Sequence, residues 1–529
     1  MRVKAFFGVL LLAVTACGSI EEDPEAASGG GDGEASTSES ESTATSEPGD
    51  YDPEATFTWI YSVDNTNFDP DKITTNNSLQ YLYPIYDSLV HIDEKAEPQP
   101  MLAESWEVSE DGKTLEMKLI EDWQFHDGTR FDAAAVKANI ERSKTLPGSF
   151  NAETLAFVTD IEVVDDDTVR IHTDTSASPL IGILGGSSGM MMSPAAFDEP
   201  GQDIKPTGGS GAFTMASYTP GDRVEYEAVD GYWDPEALRL KRLVIRIAGN
   251  DDARLNAVVT GAADSTFLRA NMVDAAAAAP GMVVFQAPSL STYNITLNTS
   301  LSEFGDARVR KALSYAIDRE AISVLLDGLC EPSQQIFPAF YWAGSEDLEP
   351  NPYDPENARE LLAEAGLADG FSFELQVINL DVYQQIAEIV QQQLAEVGIE
   401  VSIVPKEILR LGEDFSVNKT AAASLSEQKA NQDPAVTTAG YYLADGFENP
   451  GGYTTEEITE LHNEALLGSG PEERGPVYQE MMEKVAEEVY PNVTLCTLTT
   501  PFIANERVQG LEIYADASRQ FRGVSIARD

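Results

Sequence analysis

The sequence predicts an α/β fold spread over two or three domains. Three observations predict it. The chain has 529 residues, and single hydrophobic cores stop growing beyond roughly 250–300 residues. Hydrophobic residues make up 42% and aromatics 9%, the ordinary composition of a globular protein. Between residues 357 and 403, helix-like and strand-like patterns take turns, as they do where helices cover a sheet.

The elements follow in order. Phe57, Trp59, Ile60 and Tyr61 predict a strand over 56–61. Leu79, Leu82, Tyr83, Ile85, Tyr86 and Leu89 recur at helical spacing and predict a helix over 77–90. Residues 115–119 alternate as a half-buried strand, and the Asp127-Gly128 turn leads to a helix over 132–143 with Asp132 at its N-cap. Asp165-Asp166-Asp167 sits between Val163-Val164 and Val169-Arg170-Ile171, a hairpin pattern. Strands are expected at 224–226 and 243–247, and a helix at 252–260. A long amphipathic helix over 306–326 is interrupted near Asp318. A helix over 357–365 stops at Gly366, a strand covers 371–377, a helix over 383–397 stops at Gly398, and a strand covers 399–403. Helices over 456–467 and 472–490 and strands at 493–497 and 511–514 close the chain. No internal repeat is visible.

The N-terminus speaks to location. Met1-Arg2-Val3-Lys4 is a short basic start, and 5–14 is an apolar run too short to span a bilayer but suited to a secretory signal. The run ends in Val14-Thr15-Ala16-Cys17, which resembles a bacterial lipobox. That resemblance implies an acylated Cys17 and an extracytoplasmic, lipid-anchored protein. Apart from Ile20, residues 18–55 are Gly, Ser, Thr, Ala, Pro and acid, with Tyr51 the one aromatic. Such a stretch is expected to be a disordered tether, reaching roughly 30–35 Å. Cys330 and Cys496 remain, as one disulfide or as two buried thiols.

Charge excludes more than it names. Thirty-four basic residues against 89 acidic ones leave a net charge of −55, which repels phosphate backbones and argues against nucleic acid. The acid either attracts cationic ligands or is simply a solvated surface. Enzyme-like patterns fail on inspection. Gly185-Gly186-Ser187-Ser188-Gly189 has the form of a hydrolase nucleophile elbow, but Pro194 interrupts the helix that must follow. His462 is the only later histidine. Gly112-Lys113-Thr114 lacks the upstream glycine of a phosphate loop, because Glu107 stands there. Four histidines without short pairing argue against a transition-metal site, and Asp165-Asp166-Asp167 lacks the spacing of a calcium loop. No catalytic residue, cofactor or metal is expected.

Whole stretches are more specific. Leu102-Ala103-Glu104-Ser105-Trp106-Glu107, Ser109 to Thr114, and Trp123-Gln124-Phe125-His126-Asp127-Gly128-Thr129 occur in sequence. Phe68-Asp69-Pro70 precedes them. Pro206-Thr207-Gly208-Gly209-Ser210-Gly211, Gly231-Tyr232-Trp233, Val309 to Arg319 and Tyr353-Asp354-Pro355-Glu356-Asn357-Ala358 follow. Together they resemble family 5 of the bacterial extracellular solute-binding proteins, the oligopeptide-, dipeptide- and nickel-binding components of ABC importers. The resemblance covers residues 57–529.

The resemblance implies a two-lobed, periplasmic-binding-protein-like (class II) fold with a hinge and an extra third domain. The first lobe would combine 56–92, 206–288 and 504–529, the extra domain would be 93–205, and the second lobe 289–503. The chain would cross between lobes at 289–294 and 497–504. It implies a monomer that hands a peptide or other small solute to a permease. A metal chelate or sugar-derived ligand, or a signalling or adhesion receptor reusing the fold, are the alternatives. Peptide-binding members pair the ligand's ammonium with an aspartate four residues before a proline. Here the proline is Pro434 and the matching position is Ala430. Either Asp433 or another acid substitutes, or the ligand has no free amino terminus. The expected ligand contacts are Thr74, Tyr293, Asn294, Trp342, Gln432 and Asp433.

Overall fold

The predicted first strand, Thr56–Tyr61, lies inside an 11-stranded sheet. The computed structural model describes residues 49–529 except 74, 432, 490, 516–518 and 529. Cys17, Thr74 and Gln432 therefore lie outside the described residues. Across the sheet the order is Ile399–Lys406, Phe371–Ile378, Ala423–Lys429, Met282–Leu297, Asn492–Asn505, Ser265–Phe267, Thr56–Tyr61, Arg242–Ile247, Arg223–Ala228 and Phe213–Thr219. Cys330–Pro332 adds to the side of Asn492–Asn505 and carries a disulfide from Cys330 to Cys496, with Cα atoms 5.2 Å apart.

Two strands are unusually long. Met282–Leu297 and Asn492–Asn505 pair antiparallel from Met282 opposite Asn505 to Thr296 opposite Asn492. The register shifts between Pro288 and Thr292 and again between Tyr293 and Asn294. On one side of the first shift, Phe285, Ala287, Phe502 and Ala504 pack with Phe57, Trp59 and Tyr226. On the other, Tyr293, Ile295, Val493 and Leu495 pack with Leu375, Val390 and Leu425. One strand pair thus serves two cores.

A separate four-stranded sheet, Ala103–Val108, Thr114–Leu119, Thr168–Thr173 and Val158–Val163 in that order, is covered by the helix Ala133–Thr145. Asp132 caps this helix, accepting from Ala135 N at 2.9 Å. The acidic triplet at 165–167 is the expected turn. Two of its carboxylates face cations: Arg130 is 2.7 Å from Asp166, and Lys118 is 3.7 Å from Asp167.

The break at Asp318 is real. Ala307–Tyr315 and Arg319–Leu325 are separate helices, and Asp318 caps the second by accepting from Ala321 N. Arg310 and Arg319 turn inward. Arg310 donates to Val489 O at 2.6 Å and Arg319 to Thr494 O at 2.9 Å. This stretch staples the second core together.

Three expectations need correction. The helix over 77–90 is cut to Asn76–Ser78 and Leu79–Leu82, because Pro84 brings no N–H to continue the ladder. The apolar residues beyond it are buried as a turn and the short strand Val90–Ile92. At 511–514 no strand forms, although Leu511, Ile513 and Tyr514 are buried in the first core or beside it. Nor do the last residues of the expected tether hang free: Tyr51 bridges to Ala527, and Asp52 N donates to Ile526 O at 2.9 Å. Among the described residues no helix is long and apolar enough to cross a membrane.

Candidate functional site

A cavity of about 280 Å³ opens between residues far apart in sequence. One wall comes from 150–154 and 183–188, the other from 429–431, with Leu79 beside them. The volume falls at the small end of pockets for small molecules, roughly 300–1,000 Å³.

The first wall is built inward from the sequence motif near residue 70. Arg142 reaches from the helix Ala133–Thr145 and bridges two carboxylates, Asp69 at 2.6 Å and Asp71 at 2.5 Å. Asp71 also accepts from Ser143 Oγ at 2.6 Å and from Asn151 Nδ2 at 2.9 Å. Burial raises the Asp71 pKa, while Ser143, Asn151 and Arg142 pull it back. Asn151 is thereby fixed with its Oδ1 toward the cavity wall, where Ser187 Oγ donates at 2.8 Å and Ser188 Oγ at 3.1 Å. With their protons committed to Asn151, both serines offer lone pairs to an incoming donor.

The Gly-Gly-Ser-Ser-Gly run thus lines the cavity, with its serines anchored to an amide. Its outer glycines answer to packing. A Cβ at Gly189 would sit 1.8 Å from Leu184 O, and one at Gly185 would sit 2.4 Å from the Ile92 side chain.

The opposite wall is the end of the strand Ala423–Lys429. Lys429 is the last ladder residue, opposite Ser291. Ala430 N continues the ladder to Leu290 O at 2.9 Å, and Asn431 N then turns to Thr437 Oγ1 at 2.8 Å. Ala430, the position where peptide-binding relatives are expected to hold an aspartate, lines the cavity with a methyl group.

Asp433 is spoken for. It caps the helix Pro434–Tyr442 through Ala435 N and meets Arg474 with both oxygens, at 2.7 and 2.8 Å. Both side chains are only 2% exposed. Burial disfavours the guanidinium, but the Asp433 carboxylate and Tyr478 hydroxyl outweigh it and raise the Arg474 pKa. Trp342 lies over the same guanidinium, 5.5 Å from ring centroid to carbon, and donates Nε1 to Ala96 O at 3.2 Å.

The structure therefore groups Asp433 and Trp342 around Arg474, and neither belongs to the described lining of the cavity. Tyr293 packs edge-on against Tyr383 with centroids 5.4 Å apart, and burial pushes its hydroxyl up to about 12. Asn294 is fully buried, donating to Thr292 Oγ1 at 2.7 Å and accepting from Thr494 Oγ1 at 2.6 Å. Both belong to the long strand Met282–Leu297. None of the described lining residues, Asn151, Ser187, Ser188, Lys429 and Asn431 among them, was put forward as a ligand contact by sequence reading. The paired glycines around two serines were the available signal, since such crowding marks a close approach.

Comparison with known proteins follows the same outline. The family described as bacterial extracellular solute-binding proteins, family 5 Middle, matches residues 97–448. The glutathione-binding protein GsiB of Escherichia coli (strain K12) is 29% identical over 438 residues, covering 80% of this chain and 85% of GsiB. HbpA2 from Haemophilus parasuis superimposes with a TM-score of 0.82 at 24% identity, covering 90% of this chain and all of that one. The periplasmic binding protein DppA from Helicobacter pylori, solved with the peptide STSA, gives 0.71 at 22% identity over 92% of this chain and 99% of DppA. These likenesses carry the two-lobed α/β fold.

Proposed function

The chain belongs to the bacterial extracellular solute-binding proteins, family 5, and on that premise we propose that it captures a peptide or similarly small solute in the cavity between Ser187-Ser188 and Lys429-Ala430-Asn431. Members of this family are extracytoplasmic substrate-binding components of ABC importers, not enzymes. The observation that carries the reading is the cavity itself, whose two walls come from segments some 240 residues apart (188 to 429).

In this reading 56–92, 206–288 and 504–529 form the first lobe, 93–205 the extra domain and 289–503 the second lobe. The hinge is the strand pair at Pro288–Thr292, where the register slips and the packing partners change. A ladder interrupted there bends more readily than a regular one, which suits closure about a hinge. Closing the cavity lowers the dielectric around each polar contact and gives the permease a shape that differs from the empty one. Cys17 would hold the protein to the membrane surface by an acyl chain, and the protein would act as a monomer. It needs no catalysis: Ser187 points its proton at Asn151, which is no base.

Native mass spectrometry of the purified full-length protein, before and after denaturing release, tests capture. Co-purified small masses that exchange with added peptides are expected. An empty protein whose melting temperature no peptide and no chelate raises is the result that sinks the reading.

A further inference from the structure

A second cavity, of about 390 Å³, is built from residues 331–350 and Thr497 and shares no lining residue with the first. Internal bonds fix its frame. Glu331 is the ladder partner of Thr497 on the short strand Cys330–Pro332, which the disulfide to Cys496 ties to its neighbour. Two glutamines clamp the loop that follows. Buried Gln335 donates to Ser345 O at 2.7 Å and accepts from Ser345 N at 3.0 Å. Gln334 donates to Glu349 O at 2.5 Å and accepts from Asn351 N at 3.1 Å. At Gly344 the loop passes so close to itself that a Cβ would sit 2.1 Å from Pro338 O.

The described lining is acidic and holds no lysine or arginine. Glu346 and Glu349 are exposed, and among the described residues their carboxylates have neither an ion pair nor a hydrogen bond. Glu331 has an interaction of its own. Arg319, behind this wall, is buried and donates to Ser333 O at 3.0 Å and Thr494 O at 2.9 Å. Thr497 is the deep member, only 5% exposed. Its hydroxyl meets no partner among the described residues, yet it is not sealed off, so it opens on the cavity that it lines. Phe340 adds an exposed ring, whose face attracts cations. Among the described residues no acids gather closely enough to hold a metal ion. Separate carboxylates beside a ring suit a flexible chain with several ammonium groups instead.

We propose that this cavity is a second binding site, apart from the solute cleft, and takes an aliphatic polyamine. Ammonium groups meet Glu346, Glu349 and the Thr497 hydroxyl, and the methylene chain lies along Phe340. The volume suits a small organic molecule. A net charge of −55 draws a polycation from a distance, so local recognition has to be separated from general attraction.

Isothermal titration calorimetry of spermidine into the full-length protein, at about 0.15 M NaCl to screen distant charges, makes that separation. One saturable site is expected. Thr497→Val keeps the shape and charge of the strand and should weaken binding about 10-fold or more, the worth of a hydrogen bond to a charged group. Glu346→Gln with Glu349→Gln, both on exposed side chains, should weaken it about 2-fold to 30-fold, as two exposed ion pairs do. Glu388→Gln with Glu400→Gln removes the same charge from exposed carboxylates elsewhere and should leave binding unchanged. Asn431→Trp, which crowds the first cavity, should leave it unchanged too. No saturable binding, or binding indifferent to Thr497→Val, overturns the proposal. Equal weakening by the two acid pairs also overturns it, because net charge alone would then gather the polyamine. Loss of binding with Asn431→Trp overturns it by placing spermidine in the first cavity.

Discussion

His462 must stay neutral to stay buried. Its Nδ1 lies 2.8 Å from Thr438 Oγ1, and burial, with Arg474 nearby, lowers its pKa from 6.5 to about 4. The folded state therefore binds this proton less tightly than the unfolded chain does. The stability this preserves is complete above pH 6.5 and is lost as pH falls toward 4, about 3 kcal/mol in all (2.5 units at 1.36 kcal/mol each). His462→Gln should flatten urea midpoints between pH 4 and 6.5 relative to wild type. Asp87 runs the other way, since burial, partly offset by Arg522, Trp233 and Tyr232, raises its carboxyl to about 6, but it cancels in that comparison. A second residue-scale expectation concerns Asp433. Removing one partner of a buried ion pair strands the other, so Asp433→Asn should cost about 3–5 kcal/mol in chemical denaturation. An effect under about 1 kcal/mol would mean that Arg474 finds water instead. Sequence reading put Asp433 forward as a ligand contact because Ala430 stands where an aspartate was expected; the ion pair went unseen because Arg474 stands 41 residues away, on another helix. Nothing local in a sequence announces a bidentate pair of that reach.

Elements were legible where their signals are local. The caps at Asp132 and Asp318 and the stops at Gly366 and Gly398 stand where side-chain chemistry puts them, because one turn of chain decides each. The helix over 77–90 failed because apolar spacing was weighed above Pro84. Of the two long strands only the fragment 493–497 was expected; Met282–Leu297 was not, because polar Ser289, Ser291 and Thr292 interrupt its apolar pattern where the cores change. The cavity wall at 183–188 lies in short turns, whose position only the tertiary fold determines. Cys330–Cys496 closes a loop of 166 residues. Replacing both by serine, or reducing the protein, should cost about 2–4 kcal/mol in a denaturant titration, through freedom regained by the unfolded chain. No change on reduction would leave the bond without a stabilising role.

The whole molecule carries −55 charges on 529 residues. Self-repulsion of that size destabilises the compact state, and salt shortens its reach from about 10 Å at 0.1 M to about 3 Å at 1 M. The melting temperature by calorimetry should climb between those NaCl concentrations, by roughly 2–4 °C for each kcal/mol of relieved repulsion. A flat response would show that local ion pairs such as Arg142 with Asp69 and Asp71 already manage the field. At this scale the family and the two-lobed fold could be read from ordered motifs along the chain, whereas the cavity walls could not, since 188 and 429 meet only after folding. The strand Asn492–Asn505 occupies the slot between Ser265–Phe267 and Met282–Leu297. Synthesis runs the other way round. In a chain delivered only through residue 297, that slot is a strand-wide gap with two open edges, and its filler is still some 200 residues behind. The part of the protein that is started first is finished last, and until then it is a sheet with a missing plank, open to any stray strand.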